Sequence, residues 1–438
     1  MNVALLRALR IIARADSDPA RQALFERVSS RTPSMKLALR AHRLLGDSNA
    51  GAALILGYGV GEYLKASLAG ESPRDGLLGL GIYPTDRSAL DYVARLVGAE
   101  RVGWIKVSPA PQRVTPQSTR QLLSRFARGR RRRRLLRLAR LINRRYGFLV
   151  ACRLTATVAW RLRSAALLAE AQPRAVLVTS DYHPEPIGLV AAARAAGLPV
   201  IFVTHAHPHR LCPPLEFDLA ILDGEAALSA YERLGPARAE IVFRGVEGES
   251  RPLEPERLLQ EHPVIGLFPP KEIRWEVFAR LIEEARARFQ PARFLIRWHP
   301  NMLEGSRLGE HLADLSDLEV TPQSLPLAEV VGRCTWALGE ESSNVHLGTL
   351  KVGVPSIPLA GLAVTVGGSD YYGFIADGVL PPAVDSLEEL SLEDTVAFYG
   401  APDWPERFRR YDASYLQPRE AMDAAVAAQV LAHLGWAP

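Results

Sequence analysis

The chain has 438 residues, of which 48% are apolar, and carries a formal net charge of +5 at pH 7. This length is ample for two domains with buried cores, and no run approaches the roughly 20 apolar residues that cross a bilayer. The three cysteines, Cys152, Cys212 and Cys334, lie far apart, which excludes a disulfide framework and a zinc knuckle. We expect a cytoplasmic protein.

Residues 1–74 are predicted to be mostly helical, with turns near Asp47 and Ser72, and contain no chemical motif. We interpret them as a helical extension. From Gly76 the pattern changes to alternating strands and helices, beginning with a strand at Leu77–Ile82 and a helix at Asp86–Leu96. Alternation of this kind predicts a parallel sheet, and residues 75–246 form the expected amino-terminal Rossmann-like domain.

A basic insertion, residues 110–170, interrupts this domain. Residues 101–169 contain 18 Lys and Arg and no Asp or Glu, so the rest of the chain is net acidic. Within Arg130–Arg145, arginines alternate with leucines at helical spacing, which predicts a basic amphipathic helix. Such a helix suits an anionic surface at the inner membrane face. It equally suits an ordinary helix with a solvated Arg face. Few aromatic residues are present to stack bases, so no nucleic-acid partner is expected.

Residues 245–263 have no hydrophobic periodicity and predict a linker. A second β/α series then follows, and residues 263–438 form the expected carboxyl-terminal, nucleotide-sugar-binding domain. The fold class predicted for the whole chain is α/β: two Rossmann-like parallel-sheet domains that face a cleft, preceded by the helical extension. No glycine-rich dinucleotide fingerprint or Walker loop follows a strand, which argues against nicotinamide and P-loop enzymes.

Two short polar segments follow predicted strands in the second half of the chain. Arg297, His299 and Pro300 follow the run Phe294–Ile296, and Glu341, Ser342, Ser343 and Asn344 follow Thr335–Glu340. Ligands bind at this edge of a parallel sheet, and free N–H groups at the start of the next helix favour an anion. Lys271, after the first strand of this half, is a further phosphate candidate. Its alternative role, like that of Arg297, is an ordinary surface charge.

His205, His207 and His209 alternate after the predicted strand Pro199–Thr204. Three imidazoles can bind a metal, but this spacing brings them together only in extended structure, and no Cys or acidic partner completes a ligand set. We expect a loop that lines the cleft near the acceptor, and no metal requirement. Aromatic residues Tyr371, Tyr372 and Phe374 either flank a base or sugar or pack at a domain edge.

Two α/β halves, a linker, a His-Pro after one strand and a Ser-Ser after a later one resemble the GT-B glycosyltransferases, and among them the bacterial sialyltransferases and capsule-type transferases. The resemblance implies that His299 and Ser342 or Ser343 contact the phosphate of a CMP-linked donor. It also implies an acidic or histidine base on the amino-terminal half. Retaining members of the wider fold often show two Glu eight positions apart, but Thr349 stands eight positions after Glu341. An inverting reaction is therefore preferred.

The sequence departs from that family where the sialyltransferases carry an Asp-Gly pair. The nearest equivalent is Ser180–Glu185, directly after the predicted strand that ends at Thr179. Asp181 is the first candidate for the base that deprotonates the acceptor hydroxyl, and His183 is the second. The alternative role of Asp181 is to cap the following helix. His299, with Arg297, would stabilise the leaving nucleotide, and Glu185 would orient His183.

The predicted function is an inverting glycosyltransferase that moves a sugar from a nucleotide-activated, most plausibly CMP-linked donor to a glycan or glycolipid acceptor. The nucleotide sugar is a substrate, and no tightly bound cofactor is expected. Within the same fold, a CDP-linked polyol-phosphate transferase and a sugar-nucleotide epimerase remain alternatives. A non-catalytic scaffold, held at the membrane by Arg130–Arg145, is an alternative from a different class.

Overall fold

The computed structural model describes most of the chain. The described residues are 3–16, 33–69, 74–108, 129–208, 212–271, 273–299, 317–322, 324–363 and 369–436. They form two α/β units, each built on its own sheet. Within these ranges, no helix combines the length and the apolar character that a membrane span requires.

The first unit contains a seven-stranded sheet with the order β1-β3-β2-β4-β5-β6-β7, in which only β1 runs antiparallel. Its strands are β1 (Ala66–Leu68), β2 (Leu77–Leu80), β3 (Val102–Val107), β4 (Ala175–Val178), β5 (Val200–Val203), β6 (Leu219–Leu222) and β7 (Glu240–Phe243). Strands β4, β5 and β6 are buried along their whole length. Continuous apolar strands of this kind require cover on both faces.

Eight helices among the described residues belong to the part of the chain before the linker. They are α1 (Val3–Asp16), α2 (Pro33–Leu45), α3 (Asn49–Tyr63), α4 (Pro84–Val97), α5 (Gly129–Tyr146), α6 (Phe148–Ala171), α7 (Pro184–Ala195) and α8 (Glu225–Glu232). Helices α1 to α3 lie in the predicted helical extension, but β1, also within residues 1–74, pairs with β3 at the edge of the first sheet. The apolar residues of these helices pack on α5, α6 and α7, so the extension and the basic insertion form one helical layer.

The second unit contains a fully parallel five-stranded sheet with the order β10-β9-β8-β11-β12. Its strands are β8 (Val264–Phe268), β9 (Arg293–Ile296), β10 (Leu318–Val320), β11 (Trp336–Glu340) and β12 (Ser356–Leu359). The helices that follow the linker are α9 (Trp275–Arg288), α10 (Leu327–Gly332), α11 (Val345–Lys351), α12 (Leu392–Tyr399), α13 (Trp404–Tyr411) and α14 (Arg419–Leu434). The predicted fold class, two Rossmann-like sheets after a helical extension, is confirmed.

The last helix returns to the first unit. Val426, Val430 and Leu434 of α14 are buried in one cluster with Leu177 and Ile221 of the first sheet. The sequence pattern groups α14 with the second domain because it follows that domain in the chain. Its apolar face at i, i+4 and i+8 is instead covered by the first sheet. The chain therefore passes between the two units twice, once at the linker and once before α14.

A buried ion pair joins the two passages. Lys351 is 1% exposed, and its Nζ lies 3.0 Å from Asp412 Oδ2. The same ammonium group donates to Val246 O and Ser414 Oγ, while Asp412 Oδ1 accepts the N–H of Val246. Burial lowers the pKa of Lys351, and the charge of Asp412 opposes that shift. Val246 belongs to the first passage and Asp412 to the second, so this pair ties both.

We expect Lys351→Met to lower the free energy of unfolding by about 3–5 kcal/mol, because it leaves the Asp412 carboxylate buried without its cation. The double variant Lys351→Met/Asp412→Leu should recover part of that loss, since both charges are then absent. Urea denaturation of the three proteins measures both quantities. A loss below about 1 kcal/mol for the single variant would contradict the structural role of this pair.

Candidate active site between the two sheets

Each sheet contains one point where the chain reverses its winding direction. In the first sheet, β3 lies on one side of β2 and β4 on the other; in the second, β9 and β11 flank β8 in the same way. Loops diverge there at the carboxyl ends of the strands and leave a crevice, which is where open α/β sheets bind ligands. All the candidate residues proposed from the sequence follow strands that lie at or next to these two points.

Three basic side chains follow β8 and β9. Lys271 is exposed, whereas Arg297 and His299 are partly buried. Arg297 donates from Nη2 to Leu325 O at 3.0 Å, and its buried Nε has no hydrogen-bond partner among the described residues. Burial lowers the pKa of His299, and the charges of Lys271 and Arg297 lower it further. His299 is therefore a neutral N–H donor in a cationic group. Pro300 lies outside the described residues.

The turn after β11 differs from the expected anion cradle. The N–H groups of Ser342 and Ser343 bond to the side chain and carbonyl of Glu340, and the N–H of Val345 bonds to Ser343 Oγ. Helix α11 has only seven residues. The expectation of free N–H groups at a helix start is wrong, because the turn satisfies them itself. Ser342 Oγ accepts the N–H of Tyr371, so its own hydrogen is left to donate.

Two carboxyl groups lie in this turn. Burial raises the pKa of Glu340 to about 7, and the neighbouring charge of Glu341 adds to the shift. Glu341 is 7% exposed and accepts a bond from the backbone of Asp370; burial raises its pKa as well. Glu340 is thus a carboxyl group with a pKa near neutrality. The sequence analysis did not select it as a site residue, because the burial that shifts its pKa is a property of the tertiary structure.

Across the cleft, His205 follows β5 and faces Asp86, which follows β2. His205 Nδ1 lies 2.9 Å from Thr179 O, and Nε2 lies 3.6 Å from Asp86 Oδ1. A carbonyl oxygen only accepts hydrogen bonds, so Nδ1 carries a proton and Nε2 is the ring nitrogen that faces the carboxylate of Asp86. Asp86 is 1% exposed, and its Oδ2 accepts the N–H groups of Ile82 and Tyr83. The arrangement is that of a base oriented by a carbonyl and supported by a carboxylate.

The two sequence candidates for the base lie beside this pair. Asp181 is 3% exposed and accepts the Tyr231 hydroxyl at 2.8 Å; burial raises its pKa. It does not cap α7, because the residue at that position is His183. The His183 ring lies 5.6 Å from the Tyr83 ring and is partly exposed. Burial raises the pKa of Glu185, the charge of Glu62 raises it further and the charge of Arg153 opposes the shift, so Glu185 lies among the charged groups of the helical layer.

His207 joins the two halves of the site. Its backbone N–H donates to Asn344 Oδ1 at 3.3 Å. Its ring lies 5.0 Å from the Tyr411 ring and within 6 Å of the Tyr372 and Phe374 rings. The loop after β5 therefore touches the turn after β11. Tyr372 and Phe374 pack at the domain edge, which is one of the two expected roles. We find the carboxyl edges of the two sheets facing each other at this contact.

His205 and His207 face different neighbours, whereas residues two apart in an extended segment lie on the same face, so this loop does not bring their imidazoles together. His209 lies outside the described residues. In the described part of the chain, no group of three His, Cys, Asp or Glu side chains is arranged to hold a metal ion. The pairing of His205 with Asp86 was not visible in the sequence, since 119 positions separate them. The capping pattern of Asp86 at the third position of α4 was visible, but it predicts only a helix start.

Burial at the domain contact lowers the pKa of His207 from 6.5 to about 3, with a smaller effect from the charge of Arg233. The unfolded chain therefore binds the proton first, and stability is lost as the pH falls below about 6.5. We expect His207→Phe to reduce the pH dependence of the unfolding free energy between pH 6.5 and 4, by at most about 1.4 kcal/mol per pH unit. Urea denaturation at each pH measures this, with His262→Phe as an exposed control. Equal slopes in all three proteins would contradict a neutral, buried His207.

No protein-family model matches the sequence, and no curated protein matches it. Solved structures do resemble it in part. CalG4, the calicheamicin glycosyltransferase, is 16% identical with a TM-score of 0.48, over 83% of this chain and 98% of that one. A UDP-N-acetylglucosamine 2-epimerase is 14% identical with a TM-score of 0.46, over 83% and 97%. The UDP-GlcNAc 2-epimerase of Neisseria meningitidis, bound to UDP-GlcNAc, is 12% identical with a TM-score of 0.47, over 82% and 99%. Similarity at this level assigns no activity to this chain.

Proposed function

We propose that this chain is a nucleotide-sugar enzyme, and specifically an inverting glycosyltransferase that acts on a glycan or glycolipid acceptor. One observation carries the proposal: His205, oriented by Thr179 O at 2.9 Å, lies in the loop after β5, and His207 of that loop contacts Asn344 in the hydroxyl-bearing turn of the second sheet. A base and an anion site on opposite walls of one cleft are what a single displacement at a sugar carbon requires.

His205 is the proposed base, in place of Asp181 and His183. Its Nε2 is unprotonated in the neutral ring, and the carboxylate of Asp86 at 3.6 Å stabilises the positive charge that forms when Nε2 takes a proton. Asp181 lacks this accessibility, because its side chain is buried and already bonded to Tyr231.

The donor phosphate is proposed to bind at Lys271, Arg297, His299 and the Ser342–Asn344 turn. The unpartnered Nε–H of Arg297 is a donor for which a phosphate oxygen is a suitable acceptor. His299 contributes a neutral N–H, and the Ser342 hydroxyl contributes its hydrogen. Together these groups offset the negative charge that collects on the departing nucleotide.

The step is a single displacement. His205 Nε2 removes the proton from the acceptor hydroxyl as its oxygen attacks the anomeric carbon from the face opposite the phosphate. The bond between that carbon and the phosphate oxygen breaks, and its electron pair stays on the phosphate. The sugar configuration inverts, and the products are the glycosylated acceptor and the free nucleotide. The proton on His205 is then released to solvent.

The identity of the bound nucleotide is the first property to determine. We expect one nucleotide among CMP, CDP, UDP, GDP and ADP to raise the unfolding temperature, because ligand at about 100 times its Kd adds roughly 2.7 kcal/mol to a folded protein. CMP follows from the sequence resemblance, and UDP sugars appear in the names of two of the three similar solved structures. Arg297→Met and His299→Ala should remove the response, while the exposed control His262→Ala keeps it. No response to any of the five nucleotides would contradict the donor site.

The base is tested by turnover with the donor so identified. We expect His205→Gln to lower kcat by about 10²–10⁴-fold, which is the usual contribution of a general base. Asp86→Asn should have a smaller effect in the same direction. Nucleotide binding, measured by the same thermal shift, should remain in both variants, because His205 contacts the acceptor and not the phosphate. If His183→Gln or Asp181→Asn abolished turnover and His205→Gln did not, the assignment of the base would be wrong.

A nucleotide-sugar epimerase is the second candidate. The raised pKa of Glu340, about 7, favours it, because an epimerase needs proton-transfer groups on the donor-binding half and no acceptor. The two activities differ in their products. An epimerised sugar formed from donor alone, and lost in Glu340→Gln, would replace the transferase proposal with this one.

A further inference from the structure

The helical layer of the first unit contains an apolar cavity of about 240 Å³. Helices α1, α3, α5 and α6 line it, and it shares no lining residue with the proposed active site. Well-packed protein interiors contain few voids larger than a water molecule. A cavity of about 150 Å³ with apolar walls stays dry and binds benzene. The space among these helices is thus large enough for part of a hydrocarbon chain.

The cavity wall carries no charged side chain. Its residues are aliphatic apart from Thr155 and Tyr63. The Thr155 hydroxyl donates to Ala151 O at 2.8 Å, and the Tyr63 ring faces the guanidinium of Arg163. Among the described lining residues, the Thr155 and Tyr63 hydroxyls are the only polar side-chain groups. A polar ligand would lose its hydrogen bonds with water on entering, whereas a hydrocarbon would lose none.

The rim of the cavity is exposed. Leu138 of α5 is 52% exposed and Leu162 of α6 is 38% exposed, although both line the cavity. Leu141, one turn after Leu138, is 57% exposed. Single exposed leucines are common on protein surfaces, but several placed together at the mouth of an apolar cavity are typical of an interaction surface.

The same helix supplies positive charge. Arg133, Arg134 and Arg137 of α5 are exposed, and no carboxylate of the described residues lies within ion-pair distance of them. On α5, an ion pair forms near the carboxyl end, where Arg144 contacts Asp47 at 2.9 Å. The exposed leucines and the unpaired arginines therefore share one helix. An occupant that complements both must have an anionic group next to a hydrocarbon chain.

We propose that this cavity takes one hydrocarbon chain of an anionic phospholipid at a bilayer surface, while Arg133, Arg134 and Arg137 contact its phosphate and its neighbours. The apolar wall favours a hydrocarbon chain, and the positive charge of the arginines favours an anionic headgroup. A bilayer is the source that satisfies both at once, because it presents many anionic groups to a long basic helix. The site goes beyond the proposed sugar transfer and does not depend on it.

Vesicle sedimentation with the full chain tests the proposal. The probes are vesicles of phosphatidylcholine with 30% phosphatidylglycerol and vesicles of phosphatidylcholine alone, both at low salt. We expect binding to the anionic vesicles only. Arg133→Gln/Arg134→Gln/Arg137→Gln should weaken it by about 100-fold, since each basic residue near an anionic surface contributes about fivefold. The control Arg238→Gln/Arg251→Gln/Arg410→Gln removes the same charge from other surfaces and should retain more affinity.

Binding of the hydrocarbon chain in the cavity is tested with separate variants. Val158→Trp fills the cavity from α6, and Leu138→Glu places a charge at its rim; each should weaken binding at least tenfold. Leu259→Glu changes a similarly exposed leucine on the second unit and should have little effect. Leu138→Glu alters a half-exposed side chain, so it remains informative if Val158→Trp does not fold. Thermal unfolding confirms that each variant is folded.

The outcomes distinguish headgroup binding by the arginines from hydrocarbon binding in the cavity. If the arginine variant loses binding while Leu138→Glu and Val158→Trp do not, the helix binds headgroups alone and the chain site is overturned. If no variant differs from the unaltered protein, the whole proposal is overturned. Binding of monomeric dihexanoyl phosphatidylglycerol without binding to vesicles would overturn the bilayer as the source. Loss in both variant classes, with the two controls retained, supports the site.

Discussion

The buried pair of Lys351 and Asp412 determines how the two sheets face each other. It lies where the chain passes between the units twice. Lys351 donates to Val246 of the first passage and to Ser414 of the second. Two charges removed from water are stable only when each keeps its partner, so the passages are held in one arrangement. The cleft between the carboxyl edges of the sheets depends on that arrangement. Any change of the cleft during a reaction has to take place around this point.

The cleft brings together groups of opposite character. The second sheet contributes the basic side chains of Lys271 and Arg297, and the first contributes His205 with the carboxylate of Asp86 behind it. In the proposed reaction, the anion site lies on one sheet and the base on the other. This explains why the contact of His207 with Asn344 matters for chemistry as well as for packing: it keeps the loop after β5 against the turn after β11.

The proposed lipid site lies in the helical layer, apart from the proposed active site. Arginines and leucines alternate along α5, and their surroundings differ: Ala139 is buried against α3 and α6, while Leu138, Arg133 and Arg137 are exposed. A helix of this composition is stabilised by burying only part of its apolar face. The exposed part lies next to an apolar cavity, which is the observation on which the proposed lipid site rests.

The sequence by itself determined the alternation of strands and helices, the two parallel sheets and the placement of His299 and Ser342 at strand ends, because hydrophobic periodicity and strand-end position are local properties. It did not determine which strands are neighbours. Only the tertiary structure placed β2, β4 and β5 side by side, which brought Asp86 to His205, and it buried Asp181 against Tyr231. The free N–H groups expected after β11 were likewise taken up by Glu340. Partners of hydrogen bonds and charges between distant positions depend on strand order, and no local pattern encodes that order.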